Sequence, residues 1–208
     1  MTQIGVLVSG GGTNLQAVID RIADGTLGKC AIAVVISSRP GAYALERAAR
    51  AGLPAVCVER RRHGDIDEYT RALVGELRAR SVELVVMAGF LTITGRELVE
   101  AYPNRIINVH PALIPSFCGK GFYGLAPHQK ALEYGVKVTG ATTHFATLEA
   151  DAGPIIMQKA VEVREDDTPE SLQRRVMEQA EQVILPESIR LYSEGRLRVE
   201  GRRVAIAR

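Results

Sequence analysis

Asn108 and His110 are the first residues of interest, because both carry groups that could do chemistry and they are two positions apart. Residues 105–110 alternate apolar and polar side chains and are followed by Pro111, a pattern that predicts a short strand. Residues two apart on a strand point to one face, so the amide and the imidazole are expected side by side. The pair suits an acyl transfer, which needs a donor for an oxyanion and a group that carries a proton. The alternative is a surface asparagine and a histidine that caps a strand end.

A glycine-rich segment, residues 9–14, has the sequence SGGGTN and follows a continuous apolar run at residues 4–8. The run is typical of a strand buried on both faces, and apolar residues at helical spacing follow the segment. A helix that begins after glycines offers free N–H groups to a phosphate. Leu15 stands where a dinucleotide motif would have its third glycine, and the Walker spacing is absent, so a phosphomonoester is the better prediction. The alternative is a tight turn without a ligand.

The predicted elements alternate between strands and helices through the first half of the chain. Such a pattern predicts an α/β fold, with a doubly wound, Rossmann-like and mostly parallel sheet. Two long alternating segments, residues 136–146 and 154–163, predict antiparallel C-terminal strands. Ligands bind beyond the carboxyl ends of the strands in such sheets, where residues 10–14, 88–91 and 108–110 are expected to meet.

The C-terminal part of the sequence predicts a long helix that starts after Thr168 and a small hairpin at about residues 196–206. Pro186 is expected to kink or divide that helix. Residues 116–124 are rich in glycine and aromatic residues, which indicates a mobile or functional loop. We expect a single domain of residues 1–208, since a chain of this length can bury a full core.

Composition limits the classes of protein to which the chain can belong. Hydrophobic residues make up 46% and charged residues 24%, and no apolar run approaches the roughly 20 residues of a membrane span. No signal peptide is recognisable, so a cytoplasmic location is expected. The three cysteines lack the spacing of a disulfide framework or a zinc site. A net charge of +2, with residues 60–63 as the one basic run, argues against nucleic-acid binding. That run is expected to be a solvated loop or a contact for an anionic small molecule.

Four motifs together carry a resemblance to a known family: residues 9–14, the Ala-Gly-Phe at residues 88–90, the Asn-x-His-Pro-x-Leu-x-Pro at residues 108–115, and the Asp-Ala-Gly-Pro at residues 151–154. They closely resemble the phosphoribosylglycinamide formyltransferases, the folate-dependent glycinamide ribonucleotide transformylases, over nearly the whole chain. The third motif marks the wider formyltransferase family. Methionyl-tRNA formyltransferases would need a further C-terminal domain, and formyltetrahydrofolate deformylases an N-terminal one, for which we expect no room.

The resemblance implies an activity and its substrates. The formyl group of 10-formyltetrahydrofolate would pass to the amine of glycinamide ribonucleotide by direct attack through a tetrahedral intermediate. The product would be formylglycinamide ribonucleotide, in de novo purine (IMP) biosynthesis. The folate is then a cosubstrate, no metal is required, and neither nucleic acid nor a membrane is expected as a partner. A monomer and a homodimer both stay open.

The resemblance also implies which residues do the work. The catalytic residues would be Asn108, His110 and Asp151, with Asp151 raising the pKa of the imidazole if it lies close to it. The ribonucleotide would contact Gly11, Gly12, Thr13, Asn14 and Glu181. The folate would contact Leu91, Thr92, Ile93, Thr94, Asn108, Thr147, Leu148, Glu149, Ala150 and Asp151.

The sequence departs from the family pattern at three places in the folate region. Leu91-Thr92 replaces the common Met-Arg, and Ala152 replaces the first glycine of Asp-Gly-Gly. The position at which the family has a basic folate contact falls near Ile66, so no residue of this sequence can be assigned to it. The pterin contacts are therefore less firmly implied than the catalytic residues. A non-catalytic nucleotide-binding or sensor domain, with structural roles for Asn108 and His110, is the rival from another class.

Overall fold

The first half of the chain alternates strands and helices in the predicted order, in a computed structural model that describes residues 1–207. Strands β1, β2 and β4 are buried along most of their length, as their continuous apolar runs predict. β1 pairs in parallel with β2 and β4, and β2 pairs in parallel with β3. The elements are β1 (Thr2–Val8), α1 (Thr13–Ala23), β2 (Cys30–Ser37), α2 (Tyr43–Arg50), β3 (Ala55–Cys57), α3 (Ile66–Ala79), β4 (Leu84–Met87), α4 (Arg96–Ala101) and β5 (Ile106–His110).

The second half contains the antiparallel strands. β6 pairs antiparallel with β7, β8 pairs antiparallel with β9, and β7 meets β9 in parallel through a single residue pair. The elements are α5 (Ala126–Tyr134), β6 (Val138–Phe145), β7 (Ile155–Glu162), α6 (Pro169–Val176), a π-helical turn (Met177–Glu181), α7 (Gln182–Ser193), β8 (Leu197–Glu200) and β9 (Arg203–Ile206).

The strand order in the sheet is β3-β2-β1-β4-β5-β6-β7-β9-β8. The fold class is therefore confirmed as a mostly parallel α/β sheet with antiparallel C-terminal strands. The chain divides into two compact units, Met1–Ile107 and a second unit that begins at Asn108. The expectation of a single domain stays a prediction.

Residues 177–181 interrupt the last helix, ahead of Pro186, the position at which the sequence predicts a kink or a division. α7 runs through Pro186 without ending, and the irregularity is the π-helical turn that precedes α7. Buried apolar residues occur every fourth position, at Leu172, Val176, Ala180 and Ile184. An α-helix turns every 3.6 residues, so a strict spacing of four drifts around it, and the wider π turn corrects the drift.

Two smaller expectations concern membranes and cysteines. Among residues 1–207, no helix has both the length and the apolar character of a membrane span. The three cysteines form no disulfide; Cys30 is buried, Cys118 is partly buried and Cys57 is exposed.

Candidate active site

The carboxylate of Asp151 lies close to polar groups from β5, β6 and the loop that follows β5. Its Oδ2 lies 3.4 Å from Nδ1 of His110 and accepts the backbone N–H of Gly119 at 2.8 Å. Its Oδ1 lies 3.5 Å from Nε2 of His144 and accepts a hydrogen bond from the Asn108 amide at 3.4 Å. The three residues predicted to be catalytic are therefore close together, although their roles stay predictions.

The local backbone explains how Asp151 reaches this position. Asp151 has a φ of 55°, a left-handed conformation that aspartate tolerates better than most residues. Phe145 at the end of β6 hydrogen bonds to Pro154 before β7, which closes the turn. A Cβ on Gly153 would collide with the carbonyl of Phe145, so glycine is required there. Ala152 has no positive φ, which explains why the family's first glycine can be replaced in this chain.

Both ring nitrogens of His110 face acceptors. Nε2 lies 2.9 Å from the carbonyl oxygen of Phe117, and Nδ1 faces the carboxylate of Asp151. Two acceptors favour the doubly protonated ring, but the side chain is only 5% exposed. Burial is the larger effect and, with a smaller contribution from His144, lowers the pKa of His110 below its usual value. Asp151 does raise the pKa of His110, as the family resemblance implies, but by less than burial lowers it.

Asp151 is held in its ionised form by its neighbours. Burial by itself would raise the pKa of this carboxyl group. The hydrogen bond with His144, the charge on His110 and the N–H of Gly119 together more than offset burial, so the pKa is lowered. The site therefore holds a fixed negative charge next to a buried imidazole at neutral pH.

His144 is a site residue that the sequence reasoning missed. Its Nδ1 lies 3.1 Å from the Phe145 carbonyl oxygen, and its Nε2 lies 3.1 Å from Nδ2 of Asn108. A ring protonated at Nδ1 alone lets Nε2 accept from Asn108, whereas a proton on Nε2 points to Asp151 instead, so the tautomer of His144 decides which of the two contacts Nε2 makes. The alternation along β6 put His144 on one face with Thr142, a signal that could have indicated an inward position.

The loop at residues 116–124 contacts the catalytic cluster through its backbone. The Phe117 carbonyl oxygen and the Gly119 N–H bind His110 and Asp151, respectively. The ring of Phe117 packs against the rings of Phe122 and Tyr134, with centroids 6.5 and 6.2 Å away. These backbone contacts left no signal in the residue types, although the sequence indicated that the loop is mobile or functional.

The glycine loop precedes α1 in the first unit. Gly12 has a φ of 71° and is the N-cap residue of α1, while Asn14 is buried in its first turn. The carbonyl oxygen of Gly10 accepts the Ala44 N–H at 3.1 Å, and that of Gly11 accepts Nε of Arg47 at 2.8 Å. An open cavity borders this loop, lined by Ser9, Gly10, Gly11, Arg39, Gly41, Ala42 and Tyr43. This geometry suits an anion at the start of α1.

The residues predicted to bind folate belong to two segments, one in each unit. In the first unit, Leu91 and Ile93 are exposed by 47% and 73%, and the Leu91 N–H donates to the hydroxyl oxygen of Ser9. In the second unit, Leu148 is 54% exposed. Exposed apolar side chains of this size provide surface for an aromatic ligand. The predicted meeting of loops from both halves of the chain stays a prediction.

Glu181 lies in the π-helical turn, where its side chain is buried. Such turns occur often at functional sites, because the extra residue changes the direction of a side chain without ending the helix. Among residues 1–207, no group of three or more histidine, cysteine or acidic side chains is arranged to hold a metal ion.

Comparison with known proteins gives one consistent family. Residues 2–189 match the family model described as formyl transferase. The phosphoribosylglycinamide formyltransferase of Haemophilus influenzae is 36% identical over 200 residues, which is 96% of this chain and 91% of that protein. The glycinamide ribonucleotide transformylase 1 of Symbiobacterium toebii has a crystal structure with a TM-score of 0.94 and 47% identity, covering 100% of this chain and 95% of that one.

A similar match is found inside longer proteins. The trifunctional purine biosynthetic protein adenosine-3 of Gallus gallus is 39% identical over 197 residues, or 95% of this chain. This chain spans only 19% of the length of that relative.

Proposed function

The chain belongs to the formyl transferase family, and we propose that it transfers the formyl group of 10-formyltetrahydrofolate to the amine of glycinamide ribonucleotide. The product is formylglycinamide ribonucleotide, in de novo purine (IMP) biosynthesis. The observation that carries the proposal is the cluster of Asn108, His110 and Asp151, which unites an amide donor, an imidazole and an ionised carboxylate.

The reaction proceeds by direct attack. The glycinamide nitrogen bonds to the formyl carbon and forms a tetrahedral intermediate, whose collapse breaks the bond between that carbon and the folate nitrogen. The Asn108 amide donates a hydrogen bond to the oxyanion of the intermediate. To do so, one N–H of Asn108 leaves its contact with His144 or with Asp151.

His110 carries the proton between the two nitrogens. Its lowered pKa leaves the ring neutral and able to take the proton that the attacking amine loses. The resulting imidazolium is stabilised by Asp151 at Nδ1, and its proton passes to the departing folate nitrogen from Nε2. Since Nε2 also contacts the carbonyl oxygen of Phe117, that contact opens when substrate takes its place.

The substrates bind through separate groups. Gly11, Gly12, Thr13 and Asn14 hold the phosphate at the start of α1, where the N–H groups of a helix N-terminus and the helix dipole favour an anion. The buried carboxylate of Glu181 contacts the glycinamide end. The folate lies against residues 91–94 and 147–151, with its formyl group at Asn108 and Asp151. We expect the protein to act in the cytoplasm, as a monomer or a homodimer.

Turnover by the purified protein tests the proposal. With glycinamide ribonucleotide and 10-formyltetrahydrofolate present, we expect deformylated folate and formylated ribonucleotide to appear in equal amounts. A reaction without ribonucleotide is the control, since folate deformylation there indicates a hydrolase instead. Binding of both ligands without any turnover would support the rival, a non-catalytic nucleotide-binding domain.

A further inference from the structure

The side chain of Arg47 on α2 makes three contacts around the glycine loop. Its Nε donates to the carbonyl oxygen of Gly11 at 2.8 Å, and its Nη1 donates to Oε1 of Gln16 on α1 at 3.1 Å. Its guanidinium carbon lies 5.0 Å from the centre of the Tyr43 ring. A guanidinium held on three sides is restrained before any ligand arrives, so little side-chain freedom is left to lose on binding.

These contacts fix the direction of the loop's peptide groups. In a trans peptide, the C=O of one residue and the N–H of the next point in opposite directions. Arg47 holds the Gly11 carbonyl toward α2, so the N–H of Gly12 points away from α2. The Ala44 N–H holds the Gly10 carbonyl in the same way, which turns the N–H of Gly11 away from α2 as well.

The close approach of α2 depends on Gly12. A Cβ on Gly12 would lie 2.7 Å from Cβ of Ala44 and 2.9 Å from its Cα, closer than packed atoms can come. Glycine at this position therefore allows α2 to lie against the loop, and α2 in turn presents Arg47 to the Gly11 carbonyl. The glycine loop and α2 therefore depend on each other for their positions, and no motif in the sequence indicated this.

We propose that Arg47 is a positioning residue of the phosphate site, which aims the N–H groups of the glycine loop at the phosphate of the ribonucleotide. Its charge also offsets the partial negative charge of the Gly11 carbonyl, and this makes the loop more favourable for an anion. This inference rests on the proposed function, because it assigns a role within the ribonucleotide site.

Arg50 provides a matched control one turn further along α2. Its guanidinium carbon lies 5.4 Å from the centre of the same Tyr43 ring, and its Nη2 lies 3.5 Å from Oε2 of Glu46. Arg50 pairs with Glu46 on its own helix, whereas Arg47 pairs with the glycine loop. Arg50→Met therefore removes the same charge from the same helix and ring without touching the loop.

The test compares steady-state kinetics and thermal melting of the wild type, Arg47→Met, Arg47→Lys and Arg50→Met. We expect Arg47→Met to raise the KM for the ribonucleotide about ten-fold or more, the scale of a lost charged hydrogen bond, with the KM for folate and kcat unchanged. Arg47→Lys keeps the charge without the planar fork and should fall between Arg47→Met and the wild type. Arg50→Met should match the wild type.

Three results would overturn the inference. The first is an unchanged ribonucleotide KM in Arg47→Met when the wild type is active. The second is an equal rise of both KM values with a lower melting temperature, which indicates a structural role only. The third is a wild type that neither binds nor formylates the ribonucleotide, which refutes the proposed function and the assignment of the loop with it.

Discussion

Nδ1 of His110 lies 3.4 Å from Oδ2 of Asp151, although His110 ends β5 and Asp151 lies in the turn between β6 and β7. The carboxylate is ionised and the imidazole is buried, so the pair combines a fixed charge with a ring whose pKa is pulled in two directions. A ring balanced in this way can accept a proton and release it again within one reaction, as formyl transfer requires.

Loss of either His110 or Asn108 should stop most turnover while the protein stays folded. We expect His110→Ala and Asn108→Ala to lower kcat by about 100-fold or more, the usual scale for a proton-transfer group or an oxyanion donor. Circular dichroism checks that the fold is kept. Turnover like that of the wild type in either variant would exclude that residue from the mechanism.

His144 should matter for catalysis through its neighbours. His144→Leu removes the acceptor of the Asn108 amide and a partner of Asp151, so we expect kcat to fall by about ten-fold, within the range for a hydrogen bond to a charged group. The pH profile should shift as well, because His144 acts to lower the pKa of His110. An unaltered rate and profile would leave His144 as a packing residue of β6.

Gly12 should be intolerant of any side chain. Gly12→Val places a Cβ against Ala44 at a φ of 71°, so we expect weaker ribonucleotide binding with little change in folate binding. Gly10→Ala is the steric control for stability, since a Cβ there meets nothing within 4 Å. Calorimetric titration with the ribonucleotide and with the folate measures the affinity of each variant for each ligand. Equal weakening of both ligands in Gly12→Val at unchanged stability would show that the loop is not a dedicated phosphate site.

Most of the fold could be predicted from the sequence, because the patterns that mark strands and helices are local. Runs of apolar residues and helix caps marked the elements; for example, Thr168 caps α6 and Gly135 ends α5. Asn108 and His110 could be paired from strand spacing alone. Asp151 needed the family resemblance, because a turn residue gives no indication of its distant neighbours. The contacts of the loop at residues 116–124 are made by backbone atoms, which every residue has, so no residue type could reveal them.

The buried ring of His128 should make the fold sensitive to acid. It is 1% exposed, neither ring nitrogen has a hydrogen-bond partner within residues 1–207, and burial lowers its pKa to about 4. The unfolded chain binds a proton near pH 6.5 and the folded chain only near pH 4, so stability falls as the pH drops through this window. The free energy of unfolding falls by about 3 kcal/mol across this pH window.

His128→Leu should remove that part of the acid sensitivity. Denaturant unfolding of both proteins at pH 7 and pH 4 measures the difference in unfolding free energy between the two pH values. We expect this difference to be smaller in the variant, because leucine takes up no proton. The same difference in both proteins would mean that His128 is solvated or paired in the folded state.

The titration of the His110 ring by NMR, in the wild type and in Asp151→Asn, tests the proposed proton transfer most directly. The anionic carboxylate stabilises the imidazolium, and a neutral amide does not, so the pKa of His110 should be lower in the variant than in the wild type. Activity should fall together with it. A pKa that is unchanged or higher in Asp151→Asn would contradict the account, because His110 would then hold its proton without the help of Asp151.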